Sequence, residues 1–301
     1  MGQGRRIGSC HTGHGRSSVP ASVPHGQGDG HQDRKDRGRT VNKSRVTLWT
    51  ACVFVGLWLI APTLIVIPMS FNEQRSLAFP PKGFSLRWFE NFFSDAQWIG
   101  GFLNSVQIAL LTAVLATVLG TLAAYGLSKV KGIRESIGRN FLVIPMIIPS
   151  VIFGVGLYSL FLRLGLVGTL PGFLLAHTAL AVPYVVVTVG STLAAYNVSL
   201  ERAAWVCGAN KFRAFIGVTV PMLMPGILSG AFFAFITSFD EVVVSMFISS
   251  PYLQTLPVTM FAGMQREVDP TIAAAATLIM ITTTAAAIGG ILSQHLKRKR
   301  T

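Results

Sequence analysis

Charged side chains are scarce in this sequence, and their scarcity excludes the usual classes of soluble protein. Only 12% of the 301 residues are charged, whereas 51% are hydrophobic. Soluble globular domains carry about 25% charged residues, so the fraction here is about half the usual one. An integral membrane protein accounts best for this composition.

Cysteine is also scarce, and catalytic signatures are absent. The three cysteines, Cys10, Cys52 and Cys207, form no close C-x-x-C pair, so the sequence indicates neither a disulfide framework nor a zinc site. It contains no G-x-x-x-x-G-K-[ST] phosphate loop and no H-E-x-x-H metal helix. We therefore expect no catalytic residue, no metal site and no cofactor bound by the chain itself.

Basic residues, in contrast, are in excess, and the net charge is +13. Such an excess is typical of proteins that bind nucleic acid, but those domains are charge-rich throughout, so we expect no nucleic-acid partner here. Residues 1–45 hold nine of the 25 Lys and Arg, nine glycines, no leucine and no aromatic residue. This composition predicts a disordered basic cytoplasmic tail, whose run 31–45 could alternatively bind anionic lipid or RNA.

Beyond the tail, six apolar runs are long enough to cross a bilayer, which takes about 20 residues each. They predict an all-α integral membrane protein with six transmembrane helices, at residues 46–70, 102–127, 140–162, 170–195, 221–248 and 271–296. Residues 71–101 are then an external loop, 102–296 a five-helix core, and 297–301 a basic cytoplasmic end. Kinks are expected at the prolines inside the runs, namely Pro145, Pro149, Pro183 and Pro225.

The distribution of Lys and Arg predicts the orientation in the membrane. Six spans place both chain ends on one side, and cytoplasmic loops accumulate basic residues. If both ends are cytoplasmic, 20 of the 25 basic residues lie inside. Without residues 1–45 the ratio is still 11 to 5, so the prediction does not depend on the tail.

The inner loop 197–220 contains a short amphipathic pattern. Leu200, Ala203, Ala204 and Cys207 follow the spacing i, i+3, i+4 and i+7, which places them on one face of a helix. A carboxylate in the first turn, Glu201, suits the helix dipole, and a glycine at 208 is a natural stop. The small, smooth face could dock on another protein or pack against the chain's own spans.

The same loop resembles that of ATP-binding-cassette (ABC) importer permeases. The strings ERAAWVCG at 201–208 and VTVP at 218–221 are similar to the family pattern E-A-A-x-x-x-G-x9-I-x-L-P. Arg202 stands where the family has its Glu, with Glu201 one residue earlier, and Val218 and Val220 replace Ile and Leu. In this family the loop forms a coupling helix, which sits in a cleft of the ATPase subunit and transmits its closure to the spans.

The resemblance extends from about residue 88 to 296 and implies the type I ABC importer permease fold. It also implies an ATPase-coupling loop made of Leu200, Glu201, Ala203, Ala204, Cys207, Gly208 and Pro221.

Further strings narrow the resemblance to the spermidine/putrescine permease branch. They are SFDEVVV at 238–244, TLP at 255–257, DPTIAA at 269–274, NS at 104–105 and GTLAAY at 120–125. Permeases for ferric iron, thiamine and aminophosphonate have similar patterns and stay open as alternatives. The resemblance implies a bacterial inner-membrane subunit surrounded by lipid, with ABC ATPase subunits that use ATP and Mg, a second homologous permease and an extracytoplasmic polyamine-binding protein as partners.

Two adjacent carboxylates, Asp240 and Glu241, are the only acidic residues in the predicted spans. An Asp at a helix centre costs about 2.5–3.5 kcal/mol on insertion scales, so such residues usually face a cavity or a partner. Carboxylates would also bind the ammonium groups of a polyamine through charge-assisted hydrogen bonds. We expect them to line the substrate pathway; the alternative is a structural role, in pairing with another subunit or capping a helix end.

Two other features of the spans predict packing. His177 stands alone in the fourth run, where a hydrogen-bonded core residue is a commoner role than a ligand. Gly226 and Gly230 form a G-x-x-x-G pair that allows close approach of a second helix, within the chain or from a partner subunit.

Two functions of other classes stay open at this stage. Six spans with few charges also suit a self-sufficient secondary transporter or channel, although no inverted repeat is evident in the sequence. A membrane-anchored regulator acting through the basic tail is the third possibility.

Overall fold

The computed structural model describes residues 30–130, 132–266 and 269–298. The chain divides into two units after Ile60. Within the described ranges all regular elements are helical, and the predicted all-α fold class is confirmed.

The first helix, α1 (Gly30–Met69), begins well before the predicted span. Its part from Thr47 is long and apolar enough to cross a membrane, which agrees with the first predicted run. In the first unit, apolar side chains such as Leu48, Phe54 and Trp58 are exposed, as expected of a surface that lipid covers. Residues 30–45 of the tail for which the sequence predicts disorder belong to α1, and its part at 1–29 lies outside the described residues.

The second unit contains the remaining helices. They are α2 (Arg87–Ser94), α3 (Ala96–Ser128), α4 (Ile133–Ile147), α5 (Ser150–Leu164), α6 (Leu170–Ala194), α7 (Ser199–Val206), α8 (Lys211–Ala214), a π-helical turn (Phe215–Thr219), α9 (Val220–Phe239), α10 (Val243–Ile248), α11 (Leu256–Arg266) and α12 (Thr271–Arg298). Among its described residues, three segments are long and apolar enough to cross a membrane unbroken: α3, α6 and the run Lys211–Phe239. The apolar part of α12, Thr271–Ala285, is shorter.

The third predicted span is broken rather than kinked. Helices α4 and α5 meet at an angle of 98°. Ile148, which precedes Pro149, has φ −69° and ψ 129°, an extended conformation. The proline ring disfavours the helical conformation for the residue before it, so the helix ends there and a new one starts after Pro149.

The fifth span ends earlier than the sequence predicts. Helix α9 stops at Phe239, and residues 240–242 separate it from the short helix α10. The prediction that Asp240 and Glu241 lie within a continuous span is therefore wrong: they occupy a break between two helices.

Helices α3, α6 and α9 form the centre of the second unit around Val185, which is fully buried. A Cβ atom at Gly120 of α3 would lie 2.6 Å from Val185 Cβ, and one at Gly230 of α9 would lie 3.1 Å from Val185 Cα. A Cβ at Gly226 would clash with Thr192. The G-x-x-x-G pair therefore packs against α6 within the chain.

A pair of glycines in α3 tests this packing. Gly120→Ala forces a methyl group into Val185, and overpacking of this kind costs about 1–3 kcal/mol. Gly126→Ala is the matched control, because nothing lies within 4 Å of its Cβ position. We expect Gly120→Ala alone to lower the thermal unfolding midpoint of the purified transporter. Equal midpoints for the two variants would contradict close packing at Gly120.

Candidate functional site

The predicted inner loop, residues 197–220, starts with a short helix, α7, that ends in a Schellman motif. The Gly208 N–H donates to the Trp205 carbonyl (3.0 Å), and the Ala209 N–H donates to the Ala204 carbonyl (3.0 Å). Gly208 has φ +89°, a conformation that costs little only for glycine. The predicted stop at Gly208 is where the helix terminates.

One side of α7 is open and the other is anchored. Leu200, Ala203 and Cys207 of the predicted face are exposed, and Ala204 is half-buried. Val206, at the end of the helix, is 88% exposed. Within the part of the chain that the structure describes, three of the four side chains of this face are therefore left uncovered.

Glu201 is the anchor of α7, with only 1% of its surface exposed. Its Oε1 accepts a hydrogen bond from the Tyr125 hydroxyl (2.7 Å), and its Oε2 pairs with Lys129 Nζ (2.7 Å). Lys129 Nζ also lies 4.6 Å from the centroid of the Tyr125 ring, whose own centroid is 4.6 Å from that of Phe215. These contacts join α7 to the end of α3 and to the π-helical turn.

The charges of this pair are mutually stabilised. Burial raises the pKa of the Glu201 carboxyl, but hydrogen bonds from Lys129 and Tyr125 lower it by more, so the pKa lies below its usual value. Burial lowers the pKa of Lys129, and its hydrogen bonds to Glu201 and Tyr125 raise it by more. The stabilisation by Glu201 is thus fully present at neutral pH and is lost as pH falls through the lowered carboxyl pKa.

Sequence reasoning missed Tyr125 and Lys129 as part of this site. They lie 76 and 72 positions from Glu201, at the end of the second predicted span. The available signal was that Lys129 and Glu201 both fall in segments predicted to lie on the inner side of the membrane. Arg202, the residue in the family's Glu position, is exposed.

Pro221 lies in the first turn of α9 and follows the π-helical turn Phe215–Thr219. Proline lacks an N–H, and its ring crowds the carbonyl four residues earlier, here Gly217. The wider π-helical turn gives room for the ring within a continuous run from Lys211 to Phe239. Pro221 therefore shapes the connection between the inner loop and α9.

The two candidate pathway carboxylates differ in their surroundings. Glu241 Oε1 accepts a hydrogen bond from the Val244 N–H (2.8 Å) and so caps the start of α10. Asp240 is exposed, and among the described residues its carboxylate has no hydrogen bond or ion pair. The Asp240 carboxylate is thus accessible, whereas one oxygen of the Glu241 carboxylate is occupied by the backbone at the start of α10.

Comparison with known proteins identifies relatives over most of the chain. The family described as "Binding-protein-dependent transport system inner membrane component" matches residues 116–300. A spermidine/putrescine transport system permease protein, PotC, of Haemophilus influenzae is 33% identical over 85% of this chain and 98% of its own length. A putrescine transport system permease protein, PotI, of Escherichia coli K12 is 36% identical over 74% of this chain and 82% of its own.

Solved structures of the same fold are also similar. A bacterial ABC transporter involved in the import of alginate superposes with a TM-score of 0.62 at 15% identity, over 84% of this chain and 97% of that one. An alginate ABC transporter in complex with a pentasaccharide-bound periplasmic protein gives 0.63 at 18% identity, over 89% and 97%. These two likenesses concern the fold alone. The family match and the curated relatives together show that the chain belongs to the binding-protein-dependent inner-membrane components, the permease subunits of ABC importers.

Proposed function

We propose that the chain is the membrane-spanning permease subunit of an ATP-driven importer of polyamines such as spermidine and putrescine. The observation that carries the proposal is the structure of α7. One face of this short helix is exposed, and its buried Glu201 binds Tyr125 and Lys129 at the end of α3. The names of the relatives support the substrate class. Nothing in the comparisons favours iron, thiamine, aminophosphonate or a stand-alone secondary transporter.

The proposed assembly contains further subunits, because the sequence of this chain has no phosphate loop with which to bind ATP. Two ABC ATPase subunits use ATP and Mg, one of them docking on the open face of α7, and a second homologous permease completes the pore. An extracytoplasmic binding protein delivers the polyamine to the segments 72–101 and 249–270, and lipid surrounds the spans. The chain performs no covalent chemistry and holds no cofactor. The excess of basic residues in the inner segments supports cytoplasmic N- and C-termini in a bacterial inner membrane.

In this proposal motion passes from the ATPase to the pore through two contacts, that of the ATPase with α7 and that of Glu201 with the end of α3. Closure of the ATPase subunits displaces α7, and the Glu201 carboxylate carries the displacement to Tyr125 and Lys129 at the end of α3. Because α3 packs tightly on α6, and α6 on α9, the three helices move together.

The proposed substrate contact is the Asp240 carboxylate. A carboxylate that is exposed at a break in a membrane span is costly unless a cation or water reaches it. An ammonium group of a polyamine supplies that cation through charge-assisted hydrogen bonds. Glu241 shapes the same break by capping α10.

Gly208→Asp tests the coupling loop. The change places a side chain at φ +89° and adds an anion at the end of α7, so we expect spermidine uptake to fall about tenfold while basal ATP hydrolysis continues. Gly132→Asp is the control, because Gly132 also has a positive φ (+77°) and open space but lies in a different inner loop. Uptake by reconstituted transporter measures both. Unchanged uptake with Gly208→Asp would refute the coupling role.

Lys129→Met tests the anchor of α7. Removing the cation leaves the buried Glu201 carboxylate uncompensated, at a cost of about 2 kcal/mol. We expect a lower unfolding midpoint of the assembled transporter and weaker ATP-driven uptake. Arg139→Met is the control, since it removes an exposed i, i+4 pair with Glu135, worth about 0.3–0.5 kcal/mol. If both variants behave alike, Lys129 does not anchor α7.

Asp240→Asn and Glu241→Gln separate the two carboxylates. A charge-assisted hydrogen bond contributes about 1.5–3 kcal/mol, so its loss in Asp240→Asn should raise KM for spermidine uptake about 10- to 100-fold. Gln at 241 keeps an oxygen that can accept from the Val244 N–H, so KM should change by less than about twofold. Initial rates of uptake by the complete reconstituted transporter give both constants. An unaltered KM with Asp240→Asn would remove Asp240 from the substrate pathway.

A further inference from the structure

His177 of α6 joins both sides of the break in the fifth span. Its Nδ1 lies 2.8 Å from Ser238 Oγ in α9, and its Nε2 lies 3.0 Å from Ser245 Oγ in α10. The break at residues 240–242 lies between the two serines. His177 and Ser245 are fully buried, and Ser238 is 4% exposed.

The hydrogen-bonding groups of the three side chains are complementary. A neutral imidazole has one donor and one acceptor nitrogen, and a serine hydroxyl can take either role. Both ring nitrogens and both hydroxyls are therefore used in one buried network. The prediction that His177 is a hydrogen-bonded core residue is confirmed. Its position at the break also makes it a direct link between α9 and α10.

The serines do not follow the usual pattern of helix hydroxyls. A serine inside a helix commonly donates to the carbonyl four residues earlier. Ser229 of α9 does so, with a 2.8 Å bond to the Pro225 carbonyl. Ser238 and Ser245 instead meet His177 from the two helices.

Helix α10 depends on such contacts for its orientation. It has six residues, too few for a helix to be stable on its own. Val244 and Ile248 pack into an apolar cluster with Phe161 and Phe173, which holds the helix by shape but offers no directional bond. The directional contacts near its start are the Glu241 cap and the bond from Ser245 to His177.

We propose that His177 is a positioning residue for transport: by binding Ser238 and Ser245, it fixes the geometry of the break that presents Asp240. The assignment of Asp240 to the substrate rests on the proposed function. The geometry of the break does not, and it can be measured without transport.

The first experiment measures the exposure of position 240 by thiol labelling. Asp240→Cys is introduced into a chain whose native cysteines, Cys10, Cys52 and Cys207, are replaced by serine, within the assembled transporter in membrane vesicles. We expect His177→Leu to change the rate of labelling by a membrane-impermeant maleimide at least about threefold, because the hydrogen bonds of His177 to Ser238 and Ser245 are both lost. His177→Gln keeps one donor and one acceptor and should restore at least about half of the change.

Thr178→Val is the matched control for labelling. Thr178 is the next residue of the same helix and is buried, and its hydroxyl has no hydrogen-bond partner among the described residues. We expect the labelling rate in this variant to stay within about 1.5-fold of the parent, since no directional bond is lost. Equal rates in His177→Leu and the parent would overturn the proposal. If His177→Leu does not assemble, Ser245→Ala, which removes a single bond, decides by the same measurement.

The second experiment measures spermidine uptake at native Asp240. We expect His177→Leu to raise KM about fivefold with Vmax changed by less than about twofold, as loss of one well-placed contact does. A fall in Vmax and in assembled protein at constant KM would overturn the positioning role. If Asp240→Asn leaves KM unchanged while labelling still depends on His177, the substrate assignment fails and the effect of His177 on the break stands.

Discussion

Inside a bilayer, every backbone N–H and C=O group needs a partner within the protein, and this constraint governs where the helices of the chain can be interrupted. Each interruption in the second unit comes with a local solution. Pro149 starts a new helix at a position that needs no N–H donor. Glu241 accepts from the Val244 N–H at the start of α10. Before Pro221 the backbone widens into a π-helical turn instead of breaking.

The same second unit combines close packing with one ionic anchor. Around Val185 three helices approach through glycines, so the centre has little freedom to deform. At the end of α3 the contact is different in kind, because the Glu201 carboxylate is held by one hydroxyl and one ammonium group. A buried charge of this type is costly unless both partners stay in place, so α7 and the end of α3 are bound to move together.

The sequence predicts those features that depend on local pattern. The apolar runs indicate the spans, and the spacing of Leu200, Ala203 and Cys207 with a following glycine indicates α7. The end of α9 could not be predicted, because apolar residues continue on both sides of Asp240 and hydropathy carries no information on backbone direction. The partners of Glu201 could not be predicted for a different reason. They lie more than 70 positions away in the sequence, whereas helical periodicity relates only residues a few positions apart.

The shift of the acidic residue by one position, from the family's place to Glu201, has a consequence for subunit pairing. The carboxylate turns into its own chain, and Arg202 occupies the exposed position with a guanidinium group. In the proposed assembly the charge beside the open face of α7 is therefore positive, and a partner surface that places a like charge opposite it would be disfavoured.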